Sequence, residues 1–224
     1  FGLYLHWPYC KAICPYCDFN VYAAKARDTS GLEDTLCADI AGHARLMLSK
    51  TLTSIYFGGG TPSLMSPNAL SRVITNADNK FSLSNDIEIT LEANPEDITR
   101  EQLQAWKALG ITRLSLGVQA LDDDALKFLG RSHTTDDAKR AIEDSLSHFD
   151  NVSIDLIYAR PGQSTSDWLR ELEEALSLGA PHLSLYELTI KEKTAFAKQV
   201  ERAQFVPLDD HAQADLYEAT QSLC

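Results

Sequence analysis

The sequence predicts an α/β fold, a partial (β/α)6 TIM-like barrel with parallel strands inside and helices outside. Three observations predict it. Six apolar, β-branched or aromatic runs alternate with helical stretches, as βα units do. Polar residues gather at or just past the strand ends, at 10–17, 58–61, 92–94, 119, 155–160 and 187. That distribution suits the mouth of a barrel better than the single switch point of an open sheet. Finally, no apolar run approaches the roughly 18 residues that a membrane span requires.

The elements follow in order. Residues 2–7 (GLYLHW) form the first strand, and Leu32, Leu36, Ile40 and Met47 lie on one face of the helix after it. Residues 54–57 and 87–91 are the second and third strands. Thr99 and Gln102 then make a capping box, Leu103 and Trp106 an apolar face, and Gly110 a stop. Residues 113–118 are the fourth strand, and a short helix precedes Arg131. Thr135 caps a helix that carries Ala138, Ile142, Leu146 and Phe149. Residues 152–158 are the fifth strand. Trp168, Leu169, Leu172 and Leu176 mark a helix closed by Gly179, with Pro181 beyond. Residues 182–190 are the sixth strand. One core domain is expected over 1–207, with 208–224 the start of a truncated C-terminal region. The chain opens on Phe1 already in a strand-like run and closes without a helix stop, which reads as a fragment.

Composition narrows the function. The 32 acidic residues against 20 basic ones leave a net charge of −12. Such a chain is not built around a nucleic-acid groove, which needs local Lys and Arg. Five cysteines in 224 residues do not make a disulfide framework.

Three of those cysteines carry the strongest signal. Cys10, Cys14 and Cys17 stand in a CxxxCxxC spacing just past the first strand. Three thiolates this close can hold three irons of a [4Fe–4S] cube and leave the fourth iron open to a ligand. A partial zinc site is the alternative, although no second CxxC or HxxxH pair follows.

Other strand ends carry chemistry too. Gly58, Gly59, Gly60 and Thr61 follow the second strand, in neither a GxGxxG nor a GxxxxGK[ST] pattern. Glu92 ends the third strand and can accept hydrogen bonds from hydroxyls or an amine. Gln119 ends the fourth, and Arg131 offers a planar fork suited to a carboxylate. Asp155, between Ile154 and Leu156, must be paired or functional. Tyr4 and His6 share a strand face. His133, His148, His182 and His211 read as surface residues.

Together these motifs resemble the radical SAM superfamily. LHWPYCKAICPYCDFN, YFGGGTPS, LEANPED, RLSLGVQAL and IDLIYARPGQ are similar to its coproporphyrinogen-oxidase-like branch, which holds oxygen-independent coproporphyrinogen III oxidases and the HemW haem chaperones. The resemblance implies a barrel of the radical SAM type and a cytoplasmic protein. It implies that Cys10, Cys14 and Cys17 ligate a [4Fe–4S] cluster and that S-adenosylmethionine (SAM) chelates the open iron. It places Tyr4, Tyr16, Gly59, Gly60, Thr61, Glu92, Gln119, Arg131 and Asp155 around SAM, with the backbone of Gly59 and Gly60 meeting its methionine part. The similar oxidases carry a fourth cysteine two residues after the third, where this chain has Phe19. That departure favours the chaperone side: haem as ligand or cargo, a haem-receiving protein and an electron donor as partners, and a possible homodimer. The rivals are oxidative decarboxylation of coproporphyrinogen III and a non-catalytic iron–sulfur or zinc module.

Overall fold

The computed structural model describes residues 1–24, 30–47 and 51–224. In chain order the strands are β1 (Gly2–Trp7), β2 (Tyr9–Cys10), β3 (Tyr22–Ala23), β4 (Thr51–Gly59), β5 (Ser82–Ala93), β6 (Arg113–Gln119), β7 (Asn151–Tyr158) and β8 (His182–Glu187). The helices are α1 (Ser30–Ala44), α2 (Pro67–Lys80), α3 (Arg100–Ala108), α4 (Asp123–Phe128), α5 (Thr135–Leu146), α6 (Thr165–Ser177), α7 (Ala195–Glu201) and α8 (Asp210–Leu223). Short 3-10 turns at Pro62–Leu64 and Pro95–Asp97 follow β4 and β5.

The main sheet has six parallel strands in the order β1-β4-β5-β6-β7-β8, with β1 and β8 at its edges. This is the expected strand-then-helix barrel, left open between its first and last strands. β2 and β3 form a separate small pair that frames the cysteine loop.

Alternation along each strand sorts the side chains. One face carries Leu5, Trp7, Ile55, Phe57, Leu91, Leu114, Leu116, Val152, Ile154 and Leu156, all buried in one continuous core with the helices. Each such side chain contributes about 1.5–3 kcal/mol on burial. The other face carries Tyr4, His6, Tyr56, Glu92, Ser115, Ser153, Asp155, Ser184 and Tyr186. The sheet curls around that polar face. Glu92 of β5 feels Asp155 of β7, and Tyr186 of β8 feels both carboxylates. The barrel interior is therefore a polar lumen rather than the packed aliphatic layers of a closed (β/α)8 barrel.

Several element boundaries differ from the sequence expectation. Met47 lies beyond the end of α1, and β5 begins five residues before Ile87. β8 stops at Glu187, because Leu188 turns inward to a second apolar cluster with Ile157 and Phe196. The cap of α5 is Thr134, not Thr135. Thr134 and Asp137 exchange side-chain-to-backbone hydrogen bonds in a full capping box, while the Thr135 hydroxyl donates to Asp123. At α3 the Thr99 hydroxyl accepts from the Gln102 amide, as expected. α2 is an additional element, and its signal is present in the sequence. Ser66 caps it, Pro67 occupies the first turn, and Leu70, Val73 and Ala77 repeat at three and four residues along its buried face. α8 packs on α6, where the Trp168 indole donates to the buried Thr220 hydroxyl at 2.7 Å.

Candidate functional site

The site lies where the strands end. β1 delivers its chain through Trp7 and Pro8 into the cysteine loop, which is closed by a turn in which the Cys17 amide donates to the Cys14 carbonyl at 3.1 Å. The Ala24 amide donates to the Cys10 carbonyl at 2.7 Å and ties the far side of the loop back. All three cysteines are free and half-exposed. Burial pushes the thiols of Cys10 and Cys17 up, and the charge of nearby Cys14 adds to the rise in both. Donors reach all three thiols, the Phe19 backbone amide serving Cys17. The Thr61 hydroxyl lies against the Cys10 thiol, and an Arg131 Nη1 donates to Cys14 Sγ at 3.4 Å.

These residues fit an iron–sulfur cluster. Three thiols on one short loop lie within one another's field, and a hydrogen-bond donor is aimed at each of them. A single zinc would need its sulfurs roughly 3.8 Å apart, since Zn–S bonds are about 2.3 Å. Among the described residues no three His, Cys, Asp or Glu side chains gather tightly enough to hold one metal ion.

The glycine run after β4 is shaped by packing. A Cβ on Gly60 would stand 2.7 Å from the Tyr9 carbonyl oxygen and 2.9 Å from that of Trp7. One on Gly59, whose φ is +111°, would stand 2.6 Å from the His6 ring. Glycine is needed here first so that the β4 turn can lie against the strand that leads into the cysteines. The Gly60 and Thr61 amides donate to the Trp7 and Tyr9 carbonyls at 2.6 and 2.8 Å.

Glu92 stands at the top of β5 facing the lumen. Its carboxylate accepts from the Tyr56 hydroxyl at 2.8 Å and from the Gly59 amide at 3.1 Å. Burial pushes its pKa up against both bonds, and Asp155 adds to the rise. Tyr4 stacks on Tyr56 at a centroid distance of 6.0 Å and pairs its hydroxyl with His6 Nδ1 at 3.2 Å, so the two residues do share a face.

Arg131 is the most connected residue of the mouth. Besides Cys14, its Nη2 donates to Asn94 Oδ1 at 2.6 Å and to the Gly117 carbonyl at 2.8 Å. The Tyr16 phenol lies against Cys14 and this guanidinium, and burial pushes its pKa far up. Gly117 leaves room for the assembly, because a Cβ there would press on Gln119 and Asn94. Gln119 adopts a left-handed φ of +72° where β6 slips register against β7. Its side-chain amide is thereby carried beside Gly117.

Asp155 lies deeper. Both its oxygens accept from the Ser115 hydroxyl at 3.1 Å, and Ser153 donates at 3.4 Å. Burial pushes its pKa up, while its bonds from Ser184, Ser115 and Ser153 oppose the rise. A charge between two aliphatic residues is thus accounted for, since the strand turns Asp155 into the polar lumen and its neighbours into the core.

Tyr4, Tyr16, Gly59, Gly60, Thr61, Glu92, Gln119, Arg131 and Asp155 therefore gather with the cysteines around one mouth. Arg160, a polar strand end in the sequence, does not join them. It is committed to a buried bidentate pair with Glu171 of α6. Glu187 is exposed at the sheet edge. His133 is not a surface residue, since its side chain is wholly buried between the Val118 carbonyl, 3.0 Å from Nε2, and Glu96, 3.3 Å from Nδ1. Tyr56 and the serines of the lumen were not marked by sequence, and Asn94 was marked only as part of the polar strand end at 92–94. Their signal was the strand period, which puts each on the same face as Glu92 or Asp155.

Comparison with known proteins gives a consistent picture. A family model described as the Radical SAM superfamily matches residues 4–175. A Bos taurus protein named radical S-adenosyl methionine domain-containing protein 1, mitochondrial, is 37% identical over 97% of this chain and 49% of its own length. A Haemophilus influenzae protein named heme chaperone HemW is 36% identical over 99% of this chain and 58% of its own length. Among solved structures, the Escherichia coli coproporphyrinogen III oxidase HemN, titled a radical SAM enzyme, superposes with a TM-score of 0.86 at 24% identity, covering 99% of this chain and 51% of that one. The chain spans about half the length of the relatives it matches.

Proposed function

The chain belongs to the radical SAM superfamily, and from that premise we propose that it is the cluster- and SAM-binding part of a haem chaperone, a protein that binds haem and passes it to haemoproteins. Likeness along nearly its whole length to bacterial haem chaperones is the observation that carries this reading. Phe19, exposed where the similar oxidases have a further cysteine, supports it. The oxidase function, oxidative decarboxylation of coproporphyrinogen III, is the rival that the test must separate.

In this proposal Cys10, Cys14 and Cys17 hold the [4Fe–4S] cluster, and SAM occupies the mouth beside them. When bound, the pair would supply an electron and a reactive 5′-deoxyadenosyl group. The chain's own residues bind and orient. Arg131 holds Cys14, and its buried, unpartnered Nε is a donor available to a carboxylate. Glu92 and Asp155 offer acceptors for an amine or ribose hydroxyls. Gln119, Thr61 and the Gly59–Gly60 backbone line the approach, with Tyr4 and Tyr16 flanking it. Haem is the cargo, and a haem-receiving protein and an electron donor are the partners. A reducing compartment such as the cytoplasm goes with five free cysteines. No described helix is long and apolar enough to cross a membrane.

The test is a pair of assays on the full-length protein after anaerobic reconstitution with iron and sulfide. Haem titration should give a saturable Soret change, and incubation with coproporphyrinogen III, SAM and reductant should give no decarboxylated porphyrinogen. Product formation would defeat the chaperone reading. Tight zinc uptake with no visible cluster absorption would defeat the cluster as well.

A further inference from the structure

We propose that the turn after β5 is the template on which the mouth is assembled, with Asp97 as the positioning residue for the cysteine loop and Glu96 as the positioning residue for Arg131. The proposal rests on the reading that the three cysteines hold a cluster beside SAM. It assigns roles to two carboxylates that touch neither.

Four consecutive residues, Asn94, Pro95, Glu96 and Asp97, reach three separate loops. Asn94 accepts from Arg131 and donates to Thr61 Oγ1 at 3.4 Å. Asp97 accepts from the Ser63 hydroxyl at 2.8 Å and pairs with the Lys11 ammonium. Lys11 is the residue directly after Cys10, and its partner carboxylate is nearly buried, at 7% exposure against 53% for the lysine. Glu96 accepts from the Ser132 hydroxyl at 2.9 Å and faces His133 Nδ1 at 3.3 Å. Ser132 and His133 directly follow Arg131. The His133 ring is pinned from its other side by the Val118 carbonyl, one residue before Gln119.

The geometry divides the work. Asp97 grips the cysteine loop and the glycine turn from below, through Lys11 and Ser63. Glu96 grips the segment that sends Arg131 across the mouth. Pro95 fixes φ at the start of the turn, ahead of both carboxylates, and the 3-10 turn holds the two on different sides. Neither carboxylate reaches the lumen, so neither competes for a ligand there. Partners of this kind orient the groups that bind, and their loss typically costs 10–100-fold in metal affinity.

The experiment uses the full protein reconstituted with iron and sulfide, with SAM as the probe. Iron loss to a chelator, SAM affinity by equilibrium dialysis and melting temperature are measured for each variant. Asp97→Asn and Lys11→Ala should lose iron at least tenfold faster than the wild type, and Lys11→Arg should restore retention. Lys11 is half-exposed, so its truncation tests the idea without unfolding the core. Glu96→Gln and His133→Asn should keep their iron and bind SAM about tenfold more weakly. Lower melting temperatures with wild-type iron retention and SAM affinity would make both residues structural only and overturn the proposal. So would the same defect in Asp97→Asn and Glu96→Gln, since the division of work would then be absent. A wild-type chain that takes up no cluster overturns the underlying reading and the proposal with it.

Discussion

Arg131 Nη1 donates to Cys14 Sγ across 3.4 Å, although 117 residues separate the two in sequence. The contact joins the loop after β1 to the loop after α4, on opposite flanks of the mouth. The same guanidinium also serves Asn94 and Gly117, so its plane is fixed by three acceptors. A lysine offers a point charge and cannot span them. Arg131→Lys should therefore retain the fold and the cluster but weaken SAM binding by about tenfold or more, as loss of a charge-assisted bond of roughly 1.5–3 kcal/mol requires. Equilibrium dialysis on the reconstituted protein checks this, and unchanged affinity would remove Arg131 from the SAM site.

A second arginine gives a stability prediction. Arg160 and Glu171 form a buried bidentate pair, and Glu171 Oε1 also accepts from the Leu121 amide at 2.7 Å. Removing one partner strands the other's charge in the core, at a cost of about 3–5 kcal/mol. Glu171→Ala should show that loss in urea unfolding. Adding Arg160→Met should recover part of it, because the uncompensated charge is then gone. A double variant as unstable as the sum of the singles would show that the pair is not coupled.

Glu96 makes stability depend on pH. Burial alone would raise its pKa, but His133, its own backbone amide, Ser132 and Arg131 outweigh burial and bring it to about 2, from an ordinary 4.5. A carboxyl whose folded pKa is depressed stabilises the fold fully above its unfolded pKa, and the gain is lost as pH falls through the folded value. The stability gap between wild type and Glu96→Gln should thus be constant above about pH 5.5 and narrow steadily as the pH drops from 4.5 toward 2. Urea midpoints at a series of pH values measure it. A gap as wide at pH 3 as at pH 7 contradicts the assignment.

These side chains also show what the sequence made legible. Glu92 at a strand end and Asp155 between Ile154 and Leu156 stood out in the sequence, because a polar residue in an apolar run is a local fact, and the strand period turns both into the lumen. The cysteine spacing was equally local. Arg160 misled because a polar strand end looks alike whether it faces the mouth or a helix, and only Glu171, eleven residues on, decides between them. His133 misled in the opposite direction. Its burial depends on Glu96 and Val118, and nothing in SHTTDD signals either. The Thr134 cap of α5 was displaced by one residue, since TT offers two hydroxyls and only the reciprocal bond to Asp137 selects the first. Contacts between distant loops were illegible for the same reason, as they belong to the curvature of the sheet rather than to any one segment.

Two adjacent regions of the glycine run give the last prediction. Adding a Cβ at Gly60 drives it into the backbone carbonyls of Tyr9 and Trp7, which cannot rotate away. Adding one at Gly58 crowds only side-chain atoms, Tyr4 Cε2 and Tyr56 Cε1 at 2.8 Å and Glu92 Oε1 at 3.0 Å. Overpacking of either kind costs typically about 1–3 kcal/mol, but the strain goes to different places. In Gly60→Ala it must shift the strand that leads into Cys10, so the variant should be less stable and retain less iron after reconstitution. In Gly58→Ala the tyrosines and Glu92 can turn within the lumen. That variant should keep its iron and most of its stability while binding SAM more weakly, because the Glu92 carboxylate is displaced. Iron content and SAM dialysis on the two variants side by side decide it, and equal iron loss in both would show that the glycine run does not divide in this way.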